Sequence, residues 1–159
     1  MRKLESKSVD QSRVIMSQLM MPNDANHLGF VHGGTILSIA DKVAFVCACR
    51  HAESLCVTAC VDSVAFRSPI KVGQLVTFLA SVNYVGDTSM EIGIKIVAED
   101  LVTRVQTHTN SCYVTMVAVD DRGKPRRVPK LILKTAGDKR RNAHAQERRT
   151  FRLKQMGKI

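Results

Sequence analysis

Residues 33–52, GGTILSIADKVAFVCACRHA, constrain the fold more than any other segment of the chain. Ile36, Leu37, Ala40, Ala44, Cys47 and Ala48 recur at spacings of three and four, the period of a helix with one apolar face. Val43, Phe45 and Val46 fill much of the remaining surface, so the pattern predicts a helix that is buried on nearly all sides. One carboxylate, Asp41, interrupts it. An acid among apolar groups is costly unless it is paired or hydrogen-bonded. Asp41 is therefore a solvated acid beside Lys42, an acid satisfied by a neighbour, or a functional group.

The segments around this helix read as strands. Residues 12–21 (SRVIMSQLMM) form a short apolar run that Pro22 ends, because proline cannot donate to a sheet. Four more runs follow the helix at about 56–66, 74–85, 89–99 and 105–119. In the third, Met90, Ile92, Ile94 and Ile96 alternate with Glu91, Gly93, Lys95 and Val97, as in a half-buried antiparallel strand. Val72-Gly73 and Gly86-Asp87 are turn signals between neighbours. The order, one strand, a long helix, then four antiparallel strands, implies an α+β fold with the helix laid against one sheet. Such a sheet leaves an edge and a face uncovered, and pairing with a second copy would cover them. A polar segment at 1–11, a core domain at 12–130 and a basic tail at 131–159 with a helix near 138–156 complete the expected organisation.

Composition excludes several function classes. Apolar residues make up 45% of the 159, enough for one real core. No run approaches the length of a membrane span and no signal-peptide pattern opens the chain, so a cytoplasmic protein without membrane insertion is expected. Aromatic residues are only 4%, too few for a platform that stacks nucleic-acid bases, and no nucleic-acid partner is expected. The formal charge of +10 is concentrated at one end: residues 122–159 carry 14 Lys/Arg and 2 Asp/Glu, whereas residues 1–121 carry 10 and 12. The five cysteines (47, 49, 56, 60 and 112) have neither the number nor the spacing of a disulfide framework or a zinc site. They read as reduced, mostly buried thiols, and no metal is expected.

The loop before the helix is the chemically suggestive part. A helix start carries unpaired N–H groups and partial positive charge, and the glycines of His32-Gly33-Gly34 allow close approach. That junction can polarise a carbonyl oxygen, or it can be a tight connection only. Asn26 can act in a site or simply shape a turn. His32 can line a site or make structural contacts, and His27 has a weaker claim. Ser38, three residues before Asp41, is best read as packing. No GxSxG-type elbow is present for a serine nucleophile.

Taken together, Met20–Asp41 (MMPNDANHLGFVHGGTILSIAD) and Val57–Val76 (VTACVDSVAFRSPIKVGQLV) resemble the hotdog-fold acyl-CoA thioesterases. The pattern MPxDxNxxGxxxGGxxLxxxD fits from Met21 to Asp41, and FxxPxxVGD fits from Phe66, with Gln74 in place of the acid. The resemblance extends over about residues 12–130. It implies a long central helix wrapped by an antiparallel sheet, dimers with one continuous sheet, and commonly a hexamer built as a trimer of dimers. It implies hydrolysis of a fatty acyl-CoA, with Asp41 as general base or nucleophile and Asn26 orienting water or substrate. The N–H groups of Gly33 and Gly34 would face the thioester oxygen, and Asn26 and Asp41 of one site would come from different chains. No cofactor is implied, since CoA is part of the substrate and product. An apolar wall around Asp41 would make it a better base.

Candidates for contacts to CoA are His32, Phe66, Arg67, Ser68, Pro69, Thr88, Ser89, Arg126 and Arg127, chosen where arginine forks suit phosphate or where side chains border a tunnel. Solvated surface charge or core packing explains each of them equally well. The basic tail is read as a solvated helix; the competing uses are phosphate of CoA, an acidic partner or membrane surface, and nucleic acid, of which a membrane role lacks its apolar face and nucleic-acid binding lacks a motif. A non-catalytic acyl-CoA sensor on the same fold remains the alternative function, and retention of both Asp41 and Asn26 favours the enzyme. A hotdog dehydratase would need an Asp/His motif that is not found.

Overall fold

The computed structural model describes residues 4–159. Helix α1 spans Gly33–Ala52 as the spacing predicts. The His32 side chain caps its start by accepting from the Gly34 N–H, and Glu53 ends it in the left-handed region at φ 51°. Ile36, Ile39, Ala40, Val43, Ala44, Cys47, Ala48 and Ala52 form its buried face. The helix is not covered on all sides within one chain. Ser38, Lys42, Phe45 and Val46 lie on an exposed stripe, with Phe45 40% and Val46 39% exposed.

Strands β2 (Val14–Leu19), β3 (Cys56–Val61), β4 (Leu75–Val85), β5 (Ser89–Glu99) and β6 (Gln106–Ala118) form one antiparallel sheet in the order β2-β4-β5-β6-β3. Its concave face wraps α1, which touches all five strands. Phe78, Ala80 and Val82 of β4 and Met90, Ile92, Ile94 and Ile96 of β5 point to that face and are buried. The run expected at 56–66 leaves the sheet after Val61. A register shift between Thr58 and Cys60 kinks β3, and residues 62–69 continue as a loop. The first and last strands, β2 and β3, are open edges, and Val57 and Val61 on β3 are 50% and 46% exposed.

A two-residue strand β1 (Lys7–Ser8) pairs in parallel with β7 (Leu131–Ile132), joining the two end segments of the chain. Below this clasp His51, fully buried in the last turn of α1, contacts the Pro129 carbonyl at 3.0 Å through Nε2 and the Ser12 hydroxyl at 3.4 Å through Nδ1.

Helix α2 (Ala136–Gln155) starts at a Thr135/Asp138 capping box. Contrary to the expectation of a solvated helix, it is docked on the outer face of the sheet. Ala145 is its one buried apolar residue, so ionic and polar contacts do the holding. Arg148 donates to both oxygens of Glu91 at 2.7 and 3.1 Å and lies 3.6 Å over the Tyr113 ring. Arg152 grips Asp62 at 3.0 and 3.1 Å, and Asn142 donates to the Asn83 carbonyl at 2.8 Å. This covering buries Glu91 to 2% exposure although it sits on the polar side of β5. Asn83 is trapped beside it, donating to Glu91 at 3.2 Å. Its amide lies over Gly93, where any Cβ would collide with its nitrogen.

Two outcomes follow for stability. Arg148→Ala strands the Glu91 charge beneath α2, and urea unfolding should show a loss of about 3 kcal/mol. Adding Glu91→Gln to that variant should recover part of the loss. Burial pushes the His51 pKa below its ordinary value, the Pro129 carbonyl opposes the shift, and the Lys7 charge adds to it. The unfolded chain therefore binds the proton more readily than the native one. The stability that neutral His51 contributes is complete above about pH 6.5 and declines as pH falls through the depressed native value, by at most about 1.4 kcal/mol per pH unit. Melting curves between pH 7.5 and 5 should fall more steeply for wild type than for His51→Gln.

Candidate active site

The loop before α1 is shaped by Asn26. Its Oδ1 accepts from the backbone N–H of Leu28 at 2.9 Å and of Phe30 at 3.2 Å. Two donors on this atom identify it as the carbonyl, so the amide Nδ2 is the end that remains to donate. Asn26, Phe30, Gly33 and Ile36 line a cavity of about 390 Å3 together with the segment Phe66–Ile70. Phe66 lies against Gly33, and a Cβ there would be 3.3 Å from the ring. The sequence candidates Asn26, Gly33, Phe66, Arg67, Ser68 and Pro69 are thus brought together.

The two glycines are not equivalent. The Gly34 N–H donates to His32 Nδ1 at 3.0 Å, so the expected pair of helix-start donors is reduced to one. The Gly33 N–H has no partner among the described residues, and Gly33 lines the cavity. His32 is exposed, and its Nδ1 accepts in the helix cap while no hydrogen bond engages Nε2 among the described residues. His27 is exposed and Ser38 lies on the exposed stripe of α1.

Asp41 lies two turns further along α1 and is only partly buried. Thr58 Oγ1 donates to Asp41 Oδ1 at 2.6 Å, joining helix to edge strand. The same hydroxyl is 3.4 Å from Met116 Sδ, but its one proton favours the charged oxygen. Asp41 Oδ2 has no protein donor among the described residues. The sequence missed Thr58, since a threonine within CVTACV is indistinguishable from an ordinary strand residue. Gly33 and Asp41 are eight residues apart, about 12 Å along a helix. One thioester cannot touch both within a single chain.

Other candidates fall elsewhere. Thr88 and Arg126 meet at Ala118, whose N–H donates to the Thr88 carbonyl and whose carbonyl accepts from the Arg126 N–H, both at 2.9 Å. Ser89 pairs with Val117 in the sheet. Arg126 and Arg127 border a separate groove of about 800 Å3 with Lys7 and Glu53. Within one chain these residues do not join the Asn26 cavity. Burial pushes the thiols of Cys47 and Cys56 up to about 12 and that of Cys112 to about 11, with the neighbouring Cys49 adding to the shift at Cys56, so none of the three is a ready nucleophile. Among the described residues no group of three His, Cys, Asp or Glu side chains could hold a metal ion. No described helix is long and apolar enough to cross a membrane.

Comparison with known proteins places this architecture. The thioesterase superfamily matches residues 28–105. An apo-hexameric acyl-CoA thioesterase superposes with a TM-score of 0.92 at 39% identity, covering 96% of this chain and 97% of the other. The chain belongs to the hotdog-fold thioesterase superfamily. Protein VdlD of Helicobacter pylori is 49% identical over 92% of this chain and 84% of its own length. An acyl-CoA hydrolase from Staphylococcus aureus, solved with butyryl coenzyme A, coenzyme A and coenzyme A disulfide, superposes with a TM-score of 0.89 at 33% identity, covering 95% and 92% of the two chains. Structures of that enzyme also exist with an aspartate, an asparagine or a threonine replaced by alanine. The expected fold, a long helix wrapped by an antiparallel sheet with a C-terminal helix, is the one observed.

Proposed function

We propose that the protein is an acyl-CoA thioesterase, hydrolysing a fatty acyl-CoA to the free acid and CoA. The observation that carries this reading is the Thr58–Asp41 hydrogen bond, which fixes one carboxylate oxygen and leaves the other open. That open oxygen takes a proton from water as the water oxygen bonds to the acyl carbon. The Gly33 N–H and Asn26 Nδ2 donate to the oxyanion of the tetrahedral intermediate, stabilising charge that develops only along the reaction path. Collapse breaks the C–S bond, and CoA leaves as a thiolate that picks up a proton. A thioester is a good acyl donor, so one positioned base and two donors suffice.

The site is completed by a second copy. The 12 Å between Gly33 and Asp41 along one helix is bridged if two α1 helices pack antiparallel about a two-fold axis near Leu37. Gly33 and Asn26 of one protomer then oppose Asp41 and Thr58 of the other. The exposed stripe through Ser38 and Phe45 and the open β3 edge are the surfaces such a pairing covers. Assembly of these dimers into a hexamer is in keeping with the hexameric thioesterase that superposes on the chain.

The spacing supports the same three residues. In the S. aureus enzyme, the asparagine and aspartate chosen for replacement are fifteen positions apart, and the aspartate and threonine seventeen. Asn26, Asp41 and Thr58 have the same offsets.

In a thiol-release assay corrected for the five endogenous cysteines, Asp41→Ala should lower kcat by about 10²-fold or more. Thr58→Val should also be slow, and Thr58→Ser should recover most of the rate. Full turnover by Asp41→Ala would sink the assignment, and tight CoA binding by a wild type that hydrolyses no acyl chain would favour the sensor. Mixing inactive Asn26→Ala and Asp41→Ala proteins under subunit exchange should restore activity, because a mixed dimer holds one intact site. No recovery despite verified exchange would mean that each site lies within one chain.

A further inference from the structure

A cavity of about 530 Å3 between α2 and the outer face of the sheet is lined by none of the residues assigned to the chemistry above. It lies across the sheet from α1, and its size is that of a small-molecule site. Arg13, Lys95, Arg140, Arg141, His144 and Arg148 line it. Three of these have carboxylate partners: Arg13 pairs with Asp10, Arg141 with Asp138 and Arg148 with Glu91. Lys95 and Arg140 have no carboxylate partner among the described residues. Arg141 spends only Nη2 on Asp138, while its Nε is shut off from solvent without an acceptor. Asn83, 2% exposed, lies in the same wall with its side-chain oxygen unpartnered.

Like charges gathered in a concavity repel one another and focus a positive potential into it. An anion relieves that repulsion, and guanidinium forks match phosphate oxygens. Two unmatched cations and the spare donors of three more call for an anion of more than one charge. On the β2 side Ile15 and Leu79 supply an apolar shelf beside the cations. We propose that this cavity binds an organic di- or triphosphate, its phosphates on Lys95, Arg140 and Arg141 and its remaining part on Ile15 and Leu79. The source is either a free nucleotide or the phosphorylated nucleotide end of CoA.

Isothermal titration of the full chain with tripolyphosphate, ATP and CoA tests this without turnover, so failure of the thioesterase reading leaves the readout intact. Wild type should bind tripolyphosphate saturably, one per chain. Lys95→Glu/Arg140→Glu should weaken it by about tenfold or more, while the equal charge change Arg122→Glu/Lys124→Glu in a distant turn should shift it by less than about twofold. ATP binding weakened by the Lys95→Glu/Arg140→Glu pair, with CoA binding unchanged, assigns a free nucleotide, and CoA binding weakened by that pair assigns the CoA tail. Lys95→Gln/Arg140→Gln replaces the charge-reversed variant if that one melts early. Non-saturable binding, equal losses in both pairs of variants, or organic phosphates bound no better than tripolyphosphate would overturn the proposal.

Discussion

The hydrogen bond of 2.6 Å from Thr58 to Asp41 ties the long helix to the last strand of the sheet. It answers the problem posed by an acid inside an apolar helix. Asp41 is not submerged in the core. It sits where the buried face of α1 gives way to the exposed stripe, next to an edge strand whose kink begins at Thr58. The fold can therefore hold a carboxylate at the boundary of the core, only partly buried within one chain. On the proposed mechanism the same position calls for a partner, since the groups that would bind a thioester oxygen are about 12 Å away at the helix start.

The two faces of the sheet are held by different physics. Toward α1, Phe78, Met90, Ile92, Ile94 and Ile96 supply a continuous apolar surface. Toward α2, attachment rests on Arg148–Glu91, Arg152–Asp62 and the Asn142–Asn83 hydrogen bond, with a single buried alanine. Burial of a paired charge gives little net stability, but removal of one partner is costly. Helix α2 is therefore sensitive to single charge changes in a way that α1 is not. The ionic attachment also explains why the basic tail need not be a solvated appendage: two of its arginines are committed to carboxylates of the sheet and of the loop after β3.

How far the structure could be read from sequence depended on whether a residue's partner was local. The span of α1 was legible because its apolar spacing is self-contained. So was the inward row Met90–Ile96, because strand alternation needs no knowledge of the neighbour. Glu91 looked like an outward, solvated residue because the arginine that buries it lies 57 positions away. The β1–β7 clasp was illegible for the same reason, being two residues long at each end. In the site, the offset between Asn26 and Asp41 was visible through the family resemblance. Thr58 was not visible, since its role is defined by one long-range hydrogen bond. The glycine pair looked equivalent, and only the His32 cap separates Gly34 from Gly33.

The central claim is that one thioester is held by the helix start of one protomer and cut by the carboxylate of another. The crystal structure of the slow Asp41→Asn protein with a bound acyl-CoA tests it most directly. The account predicts a thioester oxygen about 3 Å from the Gly33 nitrogen and Asn26 Nδ2 of one protomer, with residue 41 and Thr58 of its partner facing the acyl carbon. A thioester contacted by Asn26 and residue 41 of the same chain, or bound away from the Gly33 nitrogen, would contradict it.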